Sequence, residues 1–240
     1  MKTIKEENSQ TEETIVRIRA SVKDDYPRFR IKLKAQGHRI DWGDGKEDKR
    51  KTHDYEKGGN YEICIRAKSI DCLDFNWTRI EELDLSRAKG LKKLLCHFND
   101  LTELDLTGCE DIEEVDCGHN KLKKLIVGER LNLKRLECSE NELQQLNLDG
   151  CKSLKYLDCH SNKLTDLSFK DCPDLRYVHC KGNNLELPVL DGMAAILPRI
   201  EAPENAHIAI CDNPGYEDCQ IVHLNHRGWN VEDPRYGYLF

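Results

Sequence analysis

The chain predicts a mostly β solenoid of α/β type, in which a right-handed coil of 21-residue repeats builds one parallel sheet between two capping segments. Two observations carry that expectation. Cys96, Cys117, Cys138, Cys159 and Cys180 recur every 21 residues, and Asn99, Asn120, Asn141, Asn162 and Asn183 follow each of them by three. Apolar positions keep the same step. Leu91, Ile112, Leu133, Leu154 and Leu175 open the units, Leu94, Val115, Leu136, Leu157 and Val178 come next, and Leu101, Leu122, Leu143, Leu164 and Leu185 follow. A degenerate first unit with Ile70, Leu73, Phe75, Ile80, Leu83 and Leu85 fits the register, with Thr78 in the asparagine position. Six coils are expected over residues 69–190.

Residues 1–13 are too polar for a core and are expected to be a flexible tail. Over residues 14–68, Ile15 to Ala20, Phe29 to Leu33, Arg39 to Trp42 and Tyr61 to Ile65 alternate or cluster as short strands, with Gly43-Asp44-Gly45 as a turn. A solenoid needs such a cap, because its first coil otherwise exposes core and an unpaired strand edge. Ile40-Asp41-Trp42-Gly43-Asp44-Gly45, with His53-Asp54-Tyr55 and Gly59-Asn60-Tyr61, is similar to the signature of the PKD-type immunoglobulin-like sandwich. The resemblance implies a small β-module of the kind found in extracellular proteins. Asp41 and Asp44 fit a turn better than a calcium site, because the twelve-residue ligand pattern of an EF-hand is missing.

Within each repeat, alternation aims Leu94 and Cys96 into the coil and Leu95 outward. Cysteine at the inward position acts as a small apolar residue. Successive thiols have parallel Cβ vectors, a poor geometry for disulfides. The asparagine side chain can satisfy backbone groups that no strand ladder reaches, and each such group left buried and unpaired costs roughly 1–3 kcal/mol. Cys109, Cys151 and Cys172 keep the same register at the turn between coils, with Arg130 at the missing step. The frame L-x-x-L-x-C-x-x-N-x-L resembles the leucine-rich repeats of bacterial surface proteins, including the internalins with a cysteine ladder. That resemblance implies a binding scaffold at the cell surface or secreted, with a host or envelope protein as partner. The first twenty residues hold no apolar block of secretory type, which leaves the cytoplasm as the alternative.

Residues 191–240 are expected to close the array as an α/β cap, with a helix over Leu190 to Leu197, a strand over Ile208 to Cys211, a turn at Asn213-Pro214-Gly215 and a helix from Cys219 to Arg227. Cys211, Cys219, His223 and His226 lack the tight C-x₂₋₄-C pair of a zinc site, so neither metal nor a Cys211–Cys219 disulfide is expected.

A net charge of −7 disfavours nucleic acid as a partner, and no apolar run approaches the length of a membrane-spanning helix. Catalysis is not expected, nor is a cofactor. In Cys96-His97 and His179-Cys180 the neighbours face opposite sides of a strand, so no histidine can activate its adjacent thiol.

Function is expected on the outward strand positions, which line one continuous face. Tyr156 and Tyr177 share a register there as an aromatic ledge, with His160 and His179 close by. Asp116, Glu137 and Asp158 form a row of like charges that costs stability unless something neutralises it. A partner with a basic residue for that row and apolar surface for the tyrosines fits. The face suits a protein or peptide ligand, with a carbohydrate-binding adhesin as the alternative and a cation as a further occupant. The N-terminal module and the aromatic tail of Tyr236, Tyr238 and Phe240 are the other candidate surfaces.

Overall fold

The computed structural model describes residues 13–201 and 206–232. The expected tail, apart from Glu13, and the segment with Tyr236, Tyr238 and Phe240 lie outside the described residues.

Seven strands precede the coils: β1 (Thr14–Val22), β2 (Arg28–Arg30), β3 (Lys32–Gln36), β4 (Arg39–Asp41), β5 (Glu47–Asp48), β6 (Thr52–Asp54) and β7 (Gly59–Ala67). In β1, Val16, Ile18 and Ala20 are buried while Arg17 is exposed, the alternation of a half-buried strand. Trp42 is fully buried and stacks on His53, whose other ring neighbour is Tyr55. The Tyr55 hydroxyl donates to the Trp42 carbonyl at 2.8 Å. Asp41 and Asp44 cap their own turn by accepting the Gly43 and Lys46 N–H groups, and Asp44 also meets His53 at 2.8 Å.

The first coil contributes β8 (Ser69–Asp74) and β9 (Ile80–Arg87), and both pair with the N-terminal strands. β9 lies against β1 in a five-stranded sheet of order β5-β4-β7-β1-β9, while β3 runs antiparallel to β8. The N-terminal segment is thus joined to the solenoid by strand pairing at two places, and β3 occupies the edge that β8 would otherwise leave open.

The following coils supply β10 (Lys93–Leu95), β11 (Glu103–Asp105), β12 (Glu114–Asp116), β13 (Lys124–Ile126), β14 (Arg135–Glu137), β15 (Tyr156–Asp158) and β16 (Tyr177–His179). β8, β10, β12, β14, β15 and β16 pair in parallel with Leu73, Leu94, Val115, Leu136, Leu157 and Val178 in register, and all six side chains are buried. β11 and β13 form a separate two-stranded parallel sheet.

All five ladder thiols are fully buried, and the twelve cysteines form no disulfide among the described residues. The asparagines follow one bonding pattern. Asn120 Nδ2 donates to the carbonyls of Cys96, Cys117 and Gly118 at 2.9–3.1 Å, and its Oδ1 accepts the Leu101 N–H at 3.1 Å. The residue just before each asparagine takes a left-handed backbone, with φ of 53° at Phe98, 49° at His119, 53° at Glu140 and 51° at Ser161.

The ladder does not stop at residue 190. α1 (Leu187–Ile196), with Pro188 in its first turn, is followed by β17 (His207–Ala209), α2 (Val222–Asn225) and β18 (Asn230–Glu232). β17 and β18 extend the parallel sheet, with Ile208 and Val231 in register with Val178. Asn213, expected as a simple turn residue, is a further ladder asparagine. It donates to Cys180 O at 3.1 Å and Ile210 O at 2.9 Å and accepts from Leu185 N at 3.1 Å. The helix expected from Cys219 to Arg227 is confined to the four residues of α2. Gly228 packs against the segment that follows α1: its φ is 86°, and a Cβ there would lie 2.2 Å from the Ile200 carbonyl oxygen.

Candidate functional face

The outward residues of β14, β15 and β16 are held in register, Arg135 beside Tyr156 and Tyr156 beside Tyr177. The tyrosine rings are parallel within 1° with centroids 4.3 Å apart, and the Arg135 guanidinium carbon lies 3.6 Å from the centroid of Tyr156. Because β15 lies between β14 and β16, Tyr156 has one face on the guanidinium and the other on Tyr177. Desolvation raises the pKa of both phenols.

Each acid of the row meets a basic side chain within the chain. Asp116 meets His97 Nδ1 at 2.9 Å, and Glu137 meets Arg135 at 2.6 Å. Asp158, only 6% exposed, faces two histidines: His160 Nδ1 at 2.6 Å on one oxygen and His179 Nδ1 at 3.3 Å on the other. Burial pushes the Asp158 carboxyl up, but the hydrogen bonds from His160 and His179 outweigh it and hold the group well below the usual carboxylate range. The hydrogen bond to Asp158 in turn raises His160. The two imidazoles stack 4.4 Å apart, and the edge of one meets Tyr177. Tyr156, Tyr177, Asp158, His160 and His179 are thus one cluster, while Asp116 sits two strands away beside His97.

A second aromatic group was not anticipated from the repeat frame. Trp77, Phe98 and His119 stack in a column, with centroids 3.7 Å and 4.0 Å apart, and Trp77 is 67% exposed. Each occupies the left-handed position before Thr78, Asn99 or Asn120, so their 21-residue step was the available signal. At the far end, Cys211 and Cys219 are buried whereas His223 and His226 are exposed.

No family profile matches the sequence, and comparison with curated proteins finds no match. Among solved structures, the chain is similar to the functional domain of InlJ from Listeria monocytogenes, which includes a cysteine ladder, at 25% identity and a TM-score of 0.54. The match covers 64% of this chain and 32% of that one, so the chain spans about a third of the InlJ structure. It is also similar to YopM from Yersinia enterocolitica at 28% identity, covering 60% of this chain and 29% of that one, with a TM-score of 0.48. A leucine-rich repeat protein of Leptospira interrogans aligns at 16% identity, covering 68% and 60%, with a TM-score of 0.42. The fold is a leucine-rich repeat solenoid in which each regular turn carries one inward thiol and one bonding asparagine.

Proposed function

We propose that the chain is a non-catalytic scaffold that binds a protein or peptide through the outward face of its parallel strands. The observation that carries this is the stack of Arg135, Tyr156 and Tyr177 on three consecutive strands. Arginine and tyrosine are the residue types that most often anchor protein interfaces, and side chains already ordered before contact lose less entropy on binding. The acids beside the stack are already held by basic side chains of the same chain, so the tyrosines rather than the acidic row supply the anchor. Similarity to leucine-rich repeat structures supports a binding scaffold in general terms.

Carbohydrate binding is the second reading, and the exposed ring of Trp77 favours it at that end of the array. Sugars pack on open aromatic faces, whereas Tyr156 has both faces covered. The similarity of residues 14–68 to PKD-type modules supports a place at the cell surface, which fractionation of cells making the protein would check. Among the described residues no helix is long and apolar enough to cross a membrane. Screening the chain against a displayed protein library and a glycan array, each with wild type, Tyr156→Ala/Tyr177→Ala and Trp77→Ala, separates the two readings. Protein ligands lost by the double variant support the first; glycan ligands alone, sensitive to Trp77→Ala, support the second.

A further inference from the structure

We propose that Asp158, His160 and His179 form a binding site for a divalent transition-metal ion. One ligand-capable atom from each residue lies within 4.8 Å of the others. The set consists of one carboxylate and two imidazoles, which suits zinc, cobalt, nickel or copper, whereas calcium and magnesium take oxygen ligands. Two atoms bound to one ion at about 2.0–2.1 Å in a tetrahedral arrangement lie roughly 3.3 Å apart. His179 Nδ1 lies 3.3 Å from Asp158 Oδ2, already that value, while His160 Nδ1 lies 2.6 Å from the other oxygen, Oδ1, so the His160 ring must move by several tenths of an ångström to share an ion with them.

The other acids on this face each meet a single basic side chain. Asp116 has His97, and Glu137 has Arg135, each one to one. Asp158 instead gathers two imidazoles, both through Nδ1, so that three ligand atoms from two coils meet at one place.

The framework is rigid. Asp158 and His179 face each other across the paired strands β15 and β16, and the His160 backbone N–H is bonded to Asp158 Oδ1 at 3.2 Å. On metal binding, the Nδ1 proton shared with Asp158 passes to solvent from a protonated ring or moves to Nε2 in a neutral one, and the freed Nδ1 lone pair and a carboxylate oxygen are donated to the ion instead. Three protein ligands leave a fourth position for water, while Glu140 Oε1, 3.7 Å from His160 Nε2, faces the ring's other nitrogen and orients the imidazole from outside the site. The sequence offers the three residues on one face but no compact ligand motif, because they come from two coils, 21 residues apart between Asp158 and His179.

The full chain, stripped with a chelator and kept reduced, is titrated with Zn²⁺ by calorimetry and with Co²⁺ by visible absorption. One equivalent is expected to bind, with Co²⁺ giving d–d bands but no thiolate-to-metal charge-transfer band. His160→Ala and His179→Ala should each weaken binding at least about tenfold, while His97→Ala, on the same face, should not. Circular dichroism checks folding; if His179→Ala unfolds, His160→Ala with His179→Gln carries the test. Absence of stoichiometric binding, a charge-transfer band, or binding unchanged in the histidine variants would overturn the site.

Discussion

The side chain of Asn141 donates to the carbonyl of Cys117, 3.0 Å away in the preceding coil. It also donates to Cys138 and Ser139 in its own coil, and its Oδ1 accepts the Leu122 N–H at 2.9 Å. One buried amide therefore satisfies backbone groups on two turns that the strand ladder cannot reach. Asn141→Ala leaves them unpaired and should cost at least about 2 kcal/mol. Asn141→Asp should not restore stability, because it keeps the acceptor, loses the donors and buries a charge. Urea titration checks both, and a loss below about 0.5 kcal/mol for the alanine variant would show the bonds to be dispensable.

The ladder thiols should be chemically silent while the chain is folded. Desolvation pushes Cys180 up to about 12 and Cys117 and Cys159 well above the ordinary thiol value, so almost no thiolate is present at neutral pH. Iodoacetamide followed by peptide mass spectrometry should first modify Cys64 and Cys72, the two half-buried cysteines. The rest should react only in denaturant. Fast labelling of Cys117 in the native chain would contradict the inward placement.

Acid stability should depend on Asp44. Burial raises this carboxyl, but the hydrogen bond from His53, the Lys46 N–H and the charges of both residues outweigh it, leaving the pKa below its ordinary value. A carboxylate depressed on folding stabilises fully above its unfolded pKa of about 3.9, and that contribution is lost as pH falls through the folded value. Wild type should therefore lose stability more steeply below about pH 4 than Asp44→Asn. Thermal melts across that range measure the two slopes, and parallel curves would exclude a role for this pair.

Much of the solenoid was legible because its physics repeats. A buried thiol and a bonding asparagine at one step leave a period that composition cannot hide, and Cys96 to Asn183 follow it without a break. Asn213 follows the same chemistry but was masked, since α1 stretches its distance from Asn183 to 30 residues. The pairing of β3 with β8 was invisible for another reason: alternation marks a strand without naming its neighbour. On the face, alternation placed Tyr156 and Tyr177 outward, but it could not show Arg135 lying over the ring or two histidines converging on Asp158. Those contacts depend on side-chain directions between coils.

The most direct test of the strand face is the affinity of a selected protein ligand for wild type and for Tyr156→Ala/Tyr177→Ala, measured by calorimetric titration. Both rings lie on the outward side of buried Leu157 and Val178, so circular dichroism should show both chains folded. Losing a central aromatic anchor costs about 2 kcal/mol or more, roughly a thirtyfold weakening. Glu103→Ala/Lys124→Ala, on the separate β11–β13 sheet, should bind as wild type does. Unchanged affinity in the tyrosine variant, with weakening in the Glu103 and Lys124 variant, would place binding away from the stacked tyrosines.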